Sequence, residues 1–206
     1  MRQLTFAAFL SLDGVMQAPG GPDEDTSDGF AHGGWIVPYA DGSGEVMGGA
    51  LAQPFELVLG RRTYDIFAGY WPHVSQGAPH RGIADQFNGT VKHVATHHPT
   101  TLAWQHSQAL GTDVVTALRD LKRAAGPDLL ILGSSDLMQQ LLATDLVDTL
   151  RLLVYPVVLG RGKRLFDGNA LPSAFRLAAS TTLPTGVLVT RYERDGAVKT
   201  GAFNPA

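Results

Sequence analysis

A chain of 206 residues, 44% hydrophobic and 17% charged, can bury one substantial core and fits a single domain over residues 1–206, with its core at about 4–193. A formal net charge of −3, a pI near 6.1 and the lack of any long run of like charges offer nothing to a nucleic-acid backbone or an anionic membrane surface. The absence of cysteine removes disulfides, and it also removes the ligands that a nucleoside-type zinc deaminase takes from a P-C-x-x-C segment.

The N-terminal MRQLTFAAFLSLDG carries one Arg and an apolar run cut at Asp13. It is too short for a secretory h-region with its cleavage site, or for a membrane span, so a cytoplasmic protein is expected. Leu4 to Leu12 reads as a mostly buried strand ending at the turn-forming Asp13-Gly14. From Gln17 to Gly34 the chain is rich in Gly, Pro and acids and reads as a long irregular loop, in which Asp23, Glu24 and Asp25 are expected to be solvated. Asp41 or Ser43 can cap a short helix through Ala52, with Val46 and Ala50, and Met47 and Leu51, as its i,i+4 pairs. Phe55 to Leu59 is a strand stopping at Gly60, and RRTYDIF then has helical spacing of Tyr64 and Phe67.

Ala84 to Phe87 reads as a short helix and Val91 to Thr96 as an alternating strand. The clearest helix follows. Thr112 or Asp113 caps it, Val114, Leu118, Leu121 and Ala125 form its apolar stripe, Lys122 and Arg123 lie in its last turn, and Gly126-Pro127 ends it. Asp128 to Leu132 is another buried strand, and Gly133-Ser134-Ser135 leads into a helix with Leu137 and Leu141, and Met138 and Leu142, as buried pairs. Thr149 to Leu159 reads as a long strand interrupted by Pro156. Gly160 to Lys163 is a turn, and Phe175 to Thr182 with Val187 to Glu193 is a terminal hairpin around Pro184-Thr185-Gly186. The order predicts an α/β sheet, mainly parallel, with an antiparallel C-terminal hairpin.

Two strand-to-helix junctions carry the chemistry, because helix starts expose unpaired N–H groups and a partial positive charge suited to phosphate. At Gly60-Arg61-Arg62-Thr63, glycine permits close backbone approach, Thr63 can bond a phosphate oxygen and an arginine can form a bidentate pair with it. Two solvated arginines on an ordinary helix explain the same residues equally well. At Gly133-Ser134-Ser135-Asp136 small residues and hydroxyls recur, although Asp136 opposes an anion unless it points outward. Two such junctions suit a ligand with two separated phosphates, of which a dinucleotide is the common example, yet no G-x-G-x-x-G fingerprint follows any strand.

Several segments together carry a family resemblance. SLDG after the first strand, LGRRTY and GYWP in the first third, GS at Gly133-Ser134, and PVVLGRGKRLF in the last third resemble the dihydrofolate-reductase-like superfamily. Within it, the chain is most similar to stand-alone proteins like the reductase (C-terminal) domain of the bifunctional riboflavin-biosynthesis deaminase-reductase, from about Leu4 to Glu193. The resemblance implies a mixed, mainly parallel eight-stranded sheet with helices on both faces, NADPH as reductant and often a homodimer. It places Ser11, Asp13, Gly14 and Val15 beside the nicotinamide and its ribose, and Gly60, Arg61, Arg62 and Thr63 at a phosphate-contacting helix start. It also places Thr96 and His97 near the adenosine 2′-phosphate, and Gly133, Ser134, Ser135 and Asp136 at a second pyrophosphate turn, where related reductases have consecutive glycines and a cis peptide.

The nearest match to a first-helix catalytic carboxylate is Glu45, for which a solvated position in the first turn is the plain alternative. Hydride transfer needs no obligatory protein acid, since a proton can come through water. The expected substrate is a small heterocycle, pyrimidine- or pterin-like, with 5-amino-6-(5-phosphoribosylamino)uracil as the family's named case. Dihydrofolate reduction and nucleotide binding without turnover are the alternatives. His97-His98 suggests no metal site, because strand neighbours point to opposite faces and no third ligand has a recognisable spacing. Trp35, Tyr70 and Trp71 can line a ring pocket or anchor packing, and Arg161, Lys163 and Arg164 can hold a phosphate or stay solvated.

Overall fold

The chain builds one eight-stranded sheet in the order β4-β3-β2-β5-β1-β6-β8-β7 in a computed structural model that describes residues 1–42 and 51–203. In chain order the elements are β1 (Leu4–Ser11), β2 (Phe55–Gly60), α1 (Arg61–Tyr70), α2 (Arg81–Gly89), β3 (Lys92–Ala95), β4 (Ser107–Ala109), α3 (Val114–Arg123), β5 (Asp128–Leu132), α4 (Ser135–Leu142), β6 (Thr149–Tyr155), β7 (Phe175–Thr182) and β8 (Leu188–Arg194). Strands β1 to β6 pair in parallel, whereas β8 runs antiparallel to both β6 and β7. The mixed, mainly parallel sheet with its antiparallel C-terminal hairpin is the expected architecture.

Strand β1 explains why the sheet has helices on both faces. Its LTFAAFLS run is apolar at consecutive positions, as a strand with two covered faces must be. Leu4, Phe6, Ala8 and Leu10 point into a core completed by Leu118 of α3 and by Leu137, Met138, Leu141 and Leu142 of α4. Ala7 points the other way, into a core with Leu57, Leu59, Val94, Tyr64 of α1 and Phe87 of α2. A third cluster lies at the β6–β8 side, where the loop residues Val15, Phe30 and Trp35 pack on Leu153, Tyr155 and Val187.

The element boundaries differ from the sequence expectation in ways that local chemistry explains. The long strand expected from Thr149 to Leu159 ends at Tyr155, because Pro156 cannot donate to a ladder. Helix α3 starts at the expected cap, with the Asp113 carboxylate accepting from Thr116 N, but it ends at Arg123. Ala124 is already extended and Ala125 is exposed, so Ala125 is not part of the buried stripe. Helix α2 is longer than Ala84 to Phe87, and β3 stops at Ala95, one residue short of Thr96. His97 and His98 therefore lie beyond the strand, and the opposed-face argument does not apply to them. The three-residue β4 had no sequence signal. The helix expected between Asp41 or Ser43 and Ala52 falls mostly outside the described residues, as does Glu45, while Leu51 and Ala52 are non-helical. No helix among the described residues is long and apolar enough to cross a membrane.

Candidate functional site

The two strand-to-helix junctions meet. β2 and β5 are neighbours in the sheet, so their carboxyl ends bring Gly60 and Ser134 together. Gly60 N donates to Ser134 Oγ at 2.7 Å, and that hydroxyl donates onward to Thr63 Oγ1 at 2.8 Å. The approach requires glycine: a Cβ on residue 60 would stand 2.8 Å from Ser134 Oγ and 2.9 Å from its Cβ. Ser134 itself sits in the left-handed region at φ 68°, following Gly133 at φ 67°, a conformation that costs a non-glycine residue on the order of 1 kcal/mol and is held here by the two hydroxyl bonds.

Neither helix start is closed by a side-chain cap: α1 follows Gly60 and α4 follows Ser134 with no capping hydrogen bond. Two sets of first-turn N–H groups therefore share one edge of the sheet, with the positive ends of two helix dipoles. Asp136 is exposed in the first turn of α4 and points away from the core. No peptide among the described residues is cis, including those around Gly133-Ser134. The junctions touch through Ser134, so they suit adjacent phosphates rather than the two separated ones expected of two such junctions.

The arginines are not free cations. Arg61 Nε donates to both Asp65 oxygens at 2.9 Å, and its Nη1 donates to Thr101 Oγ1 at 2.6 Å, His98 O at 3.2 Å and Thr96 Oγ1 at 3.4 Å. Thr96 is thus joined to the start of α1, whereas His97 is exposed with no such link. Arg62 pairs with Asp25 and donates to Ser27 Oγ at 3.1 Å.

The expectation that Asp23, Glu24 and Asp25 are solvated holds only for Asp23. Glu24 Oε2 accepts from Gly20 N at 2.6 Å and Gly21 N at 3.2 Å, closing a small turn. Asp25, 11% exposed, joins three segments: its own loop, Arg62 of α1 and Lys163 Nζ at 2.8 Å. Burial opposes its charge, but hydrogen bonds from Lys163, Ser27 and Arg62 outweigh that and hold the carboxyl well below the ordinary aspartate value. Gln17 extends the same clasp, accepting from Lys163 N at 3.0 Å and donating to the carbonyls of Asp25 and Ser27 at 3.1 Å.

Ser11, Asp13, Gly14 and Val15 form a tight turn after β1. Ser11 Oγ accepts from Val15 N at 2.9 Å and donates to Asp13 Oδ1 at 2.6 Å. Asp13 also accepts from Leu159 N, Gly160 N and Arg164 Nη2; the Ser11 bond foremost, with those from Leu159 N and Gly160 N, outweighs burial and holds its carboxyl well below the usual range. Ser11 and Val15 are buried, Asp13 and Gly14 are half-buried, and the side chain that the turn exposes is Leu12. Lys163 is thus paired to Asp25, while Arg164 reaches Asp13 and remains exposed.

Beside this turn lies an aromatic group in which only Trp35 was expected to line a pocket or anchor packing. Tyr155, paired in register with Ser11, has Phe9, Trp35 and Tyr39 edge-on at 5.4–6.0 Å. Its hydroxyl is buried with no hydrogen-bond partner among the described residues, and burial pushes its pKa up to about 12. Trp35 belongs here, its Nε1 donating to Gln17 O at 2.8 Å. Trp71 instead packs against Phe67, Tyr70 and Phe87 at the far end of α1. An open groove of about 500 Å³ near that far end is lined by Ala68, His73, Asn88 and Trp104 and lies away from both helix starts.

A sheet of this strand order, with two bare helix starts converging at the carboxyl edge of its parallel half, defines a dihydrofolate-reductase-like protein. The chain belongs to the RibD C-terminal domain family, whose model matches residues 2–189. That family is a reductase-like one of the riboflavin pathway. An uncharacterised protein of Bacillus subtilis, YyaP, is 25% identical over 146 residues, which are 71% of this chain and 77% of YyaP. Among solved structures, a candidate riboflavin biosynthesis protein from Shewanella sp. PV-4 superposes with a TM-score of 0.62 at 20% identity, covering 95% of this chain and 99% of that one. A pyrimidine reductase-like protein from Corynebacterium diphtheriae gives 0.57 at 14% identity, covering 94% and 92%.

Proposed function

We propose that the protein is an NADPH-dependent reductase that passes hydride to a pyrimidine- or pterin-like ring, of the 5-amino-6-(5-phosphoribosylamino)uracil reductase type. The observation that carries this reading is the convergence of two uncapped helix starts, Gly60–Thr63 and Gly133–Asp136, joined through Ser134 Oγ. Adjacent first-turn N–H groups fit a diphosphate, because they supply several donors at one place with two helix dipoles behind them. Family membership supplies the reductase class.

Arg61 with Thr96, and His97 beside them, would meet the adenosine 2′-phosphate. The Ser11–Val15 turn would lie against the nicotinamide and its ribose. NADPH supplies the hydride, and the protein's work is to orient the two rings and exclude water between them. The Asp25 carboxyl is held ionised by two cations and cannot serve as the proton donor, so a proton reaches the substrate through water or through Glu45. We place the protein in the cytoplasm, active as a homodimer.

The test is calorimetric titration with NADPH and then NADH, followed by loss of the reduced-nicotinamide absorbance with ribosylaminopyrimidines and dihydropterins. Tighter binding of NADPH and its oxidation by one of these substrates are expected. Failure of both dinucleotides to bind would remove the reductase reading.

A further inference from the structure

Away from the carboxyl edge, the antiparallel part of the sheet concentrates positive charge on one face. β6 and β8 pair so that Arg151 stands directly opposite Arg191. Directly opposed residues have Cβ atoms roughly 5 Å apart, and like charges so placed repel. Arg191 Nη1 donates to Glu193 Oε1 at 2.6 Å, while Arg176 of β7 donates to Oε2 of the same carboxylate at 2.5 Å. Arg176 and Arg191 therefore share one carboxylate between them.

Arg151 is the one left over. It is partly buried and has no hydrogen-bond acceptor or ion-pair partner among the described residues. Burial, and then the charge of Arg191, push its guanidinium below the ordinary arginine value. On the outer side of Arg191 the opposing β7 residue is Ala179, exposed and small, at the irregularity between Leu177 and Ala179. A cation that is partly desolvated, unpartnered and set against another cation is a costly arrangement, and an anion between the two guanidinium groups would relieve it.

We propose that Arg151 and Arg191 form a second anion site, which takes a phosphate dianion either free or as a phosphate monoester. Paired planar guanidinium groups present several donors in the fork geometry that phosphate oxygens accept. The site is separate from the proposed cofactor edge. Arg151 precedes Tyr155, the register partner of Ser11, by four residues, which is about 13 Å along the strand.

Thermal melts of the full chain test this, in chloride buffer and with inorganic phosphate or glycerol 3-phosphate added at matched ionic strength. Saturable stabilisation by phosphate is expected, since a ligand that binds only the folded state raises the melting temperature. Arg151→Gln and Arg191→Gln should each weaken that response at least tenfold while leaving NADPH affinity unchanged. Arg151→Gln should also raise the melting temperature in chloride alone, because it removes an unpaired cation. Stabilisation by glycerol 3-phosphate as well as by inorganic phosphate would assign the site to esters, and by inorganic phosphate alone to the free ion. The proposal is overturned if phosphate gives no saturable effect, if both variants respond as the parent does, or if Arg151→Gln lowers the melting temperature in chloride.

Discussion

The two ends of the parallel strands are built on opposite principles. At the amino ends three buried cationic side chains and a buried histidine are held against partners. Arg2 Nη2 reaches Glu56 Oε2 at 2.5 Å, and the same oxygen lies 2.7 Å from His93 Nε2. Lys122 Nζ meets Asp148 Oδ2 at 2.5 Å, and Asp148 also accepts from Leu4 N at 2.7 Å. Lys92 Nζ donates to the carbonyls of Asn88, Thr90 and Gln105 and lies 4.3 Å from the Trp104 ring centroid. At the carboxyl ends, by contrast, two helix starts have no side-chain cap and the loop beside them is held by a few ion pairs. One end uses its polar groups to hold the sheet together, and the other leaves first-turn donors without a side-chain cap.

Breaking the amino end should have the largest effect. Glu56→Ala strands Arg2 and His93, both buried, and should cost about 3–5 kcal/mol in urea unfolding, with little change in dinucleotide affinity relative to the folded fraction. Burial works against the Glu56 charge, but His93 and Arg2 together lower its folded pKa. Its contribution is therefore present above the unfolded glutamate value and lost as pH falls through the lower folded value, and acid titration of the parent and the variant should show that difference. A variant as stable as the parent would mean that the amino end is not where the stability resides.

Asp25→Asn comes next, at about 1.5–3 kcal/mol, because it leaves Lys163 and Arg62 without their carboxylate. The same sign holds for this group. Its folded pKa is depressed, so its stabilisation persists above the ordinary aspartate value and disappears in more acid solution. Hydrogen exchange should locate the loss in residues 17–34. Exchange spread evenly over the sheet would contradict a local clasp.

Ser134→Ala removes both bonds at the junction and should cost about 1 kcal/mol, with a larger effect on dinucleotide binding than on unfolding. Ser134→Gly relaxes the left-handed backbone but loses the same hydroxyl, so it should recover part of the stability and none of the positioning. Arg61→Ala should have the smallest effect on stability, since its main partner Asp65 is an exposed i,i+4 neighbour. It should weaken NADPH more than NADH, and equal weakening would move Arg61 from the 2′-phosphate to the shared diphosphate.

The parts of this picture that were legible in sequence are those written in local pattern. The apolar run of β1, the strand-glycine-helix step at Gly60, the helix cap at Thr112 or Asp113 and the Pro184–Gly186 turn each declare themselves within a few residues. β4 did not, because Ser107-Gln108-Ala109 has neither alternation nor β-branched residues. The clasp was hidden for a different reason: Asp25 lies 37 residues from Arg62 and 138 from Lys163, and nothing local in DEDTSD distinguishes the acid that becomes buried. The two junctions could be recognised singly, but their contact depends on β2 and β5 becoming neighbours through a crossover that brings the later strand back beside the earlier one. Tyr155 gives no local signal of its own, because it reads as one more residue of an apolar strand.

The most direct test of the central claim is amide NMR of the labelled protein during titration with NADPH. If both helix starts hold the diphosphate, the largest shifts fall together on Gly60–Thr63 and Gly133–Asp136, with the groove around Asn88 and Trp104 unchanged. Shifts confined to one junction, or centred on that groove, would contradict the account.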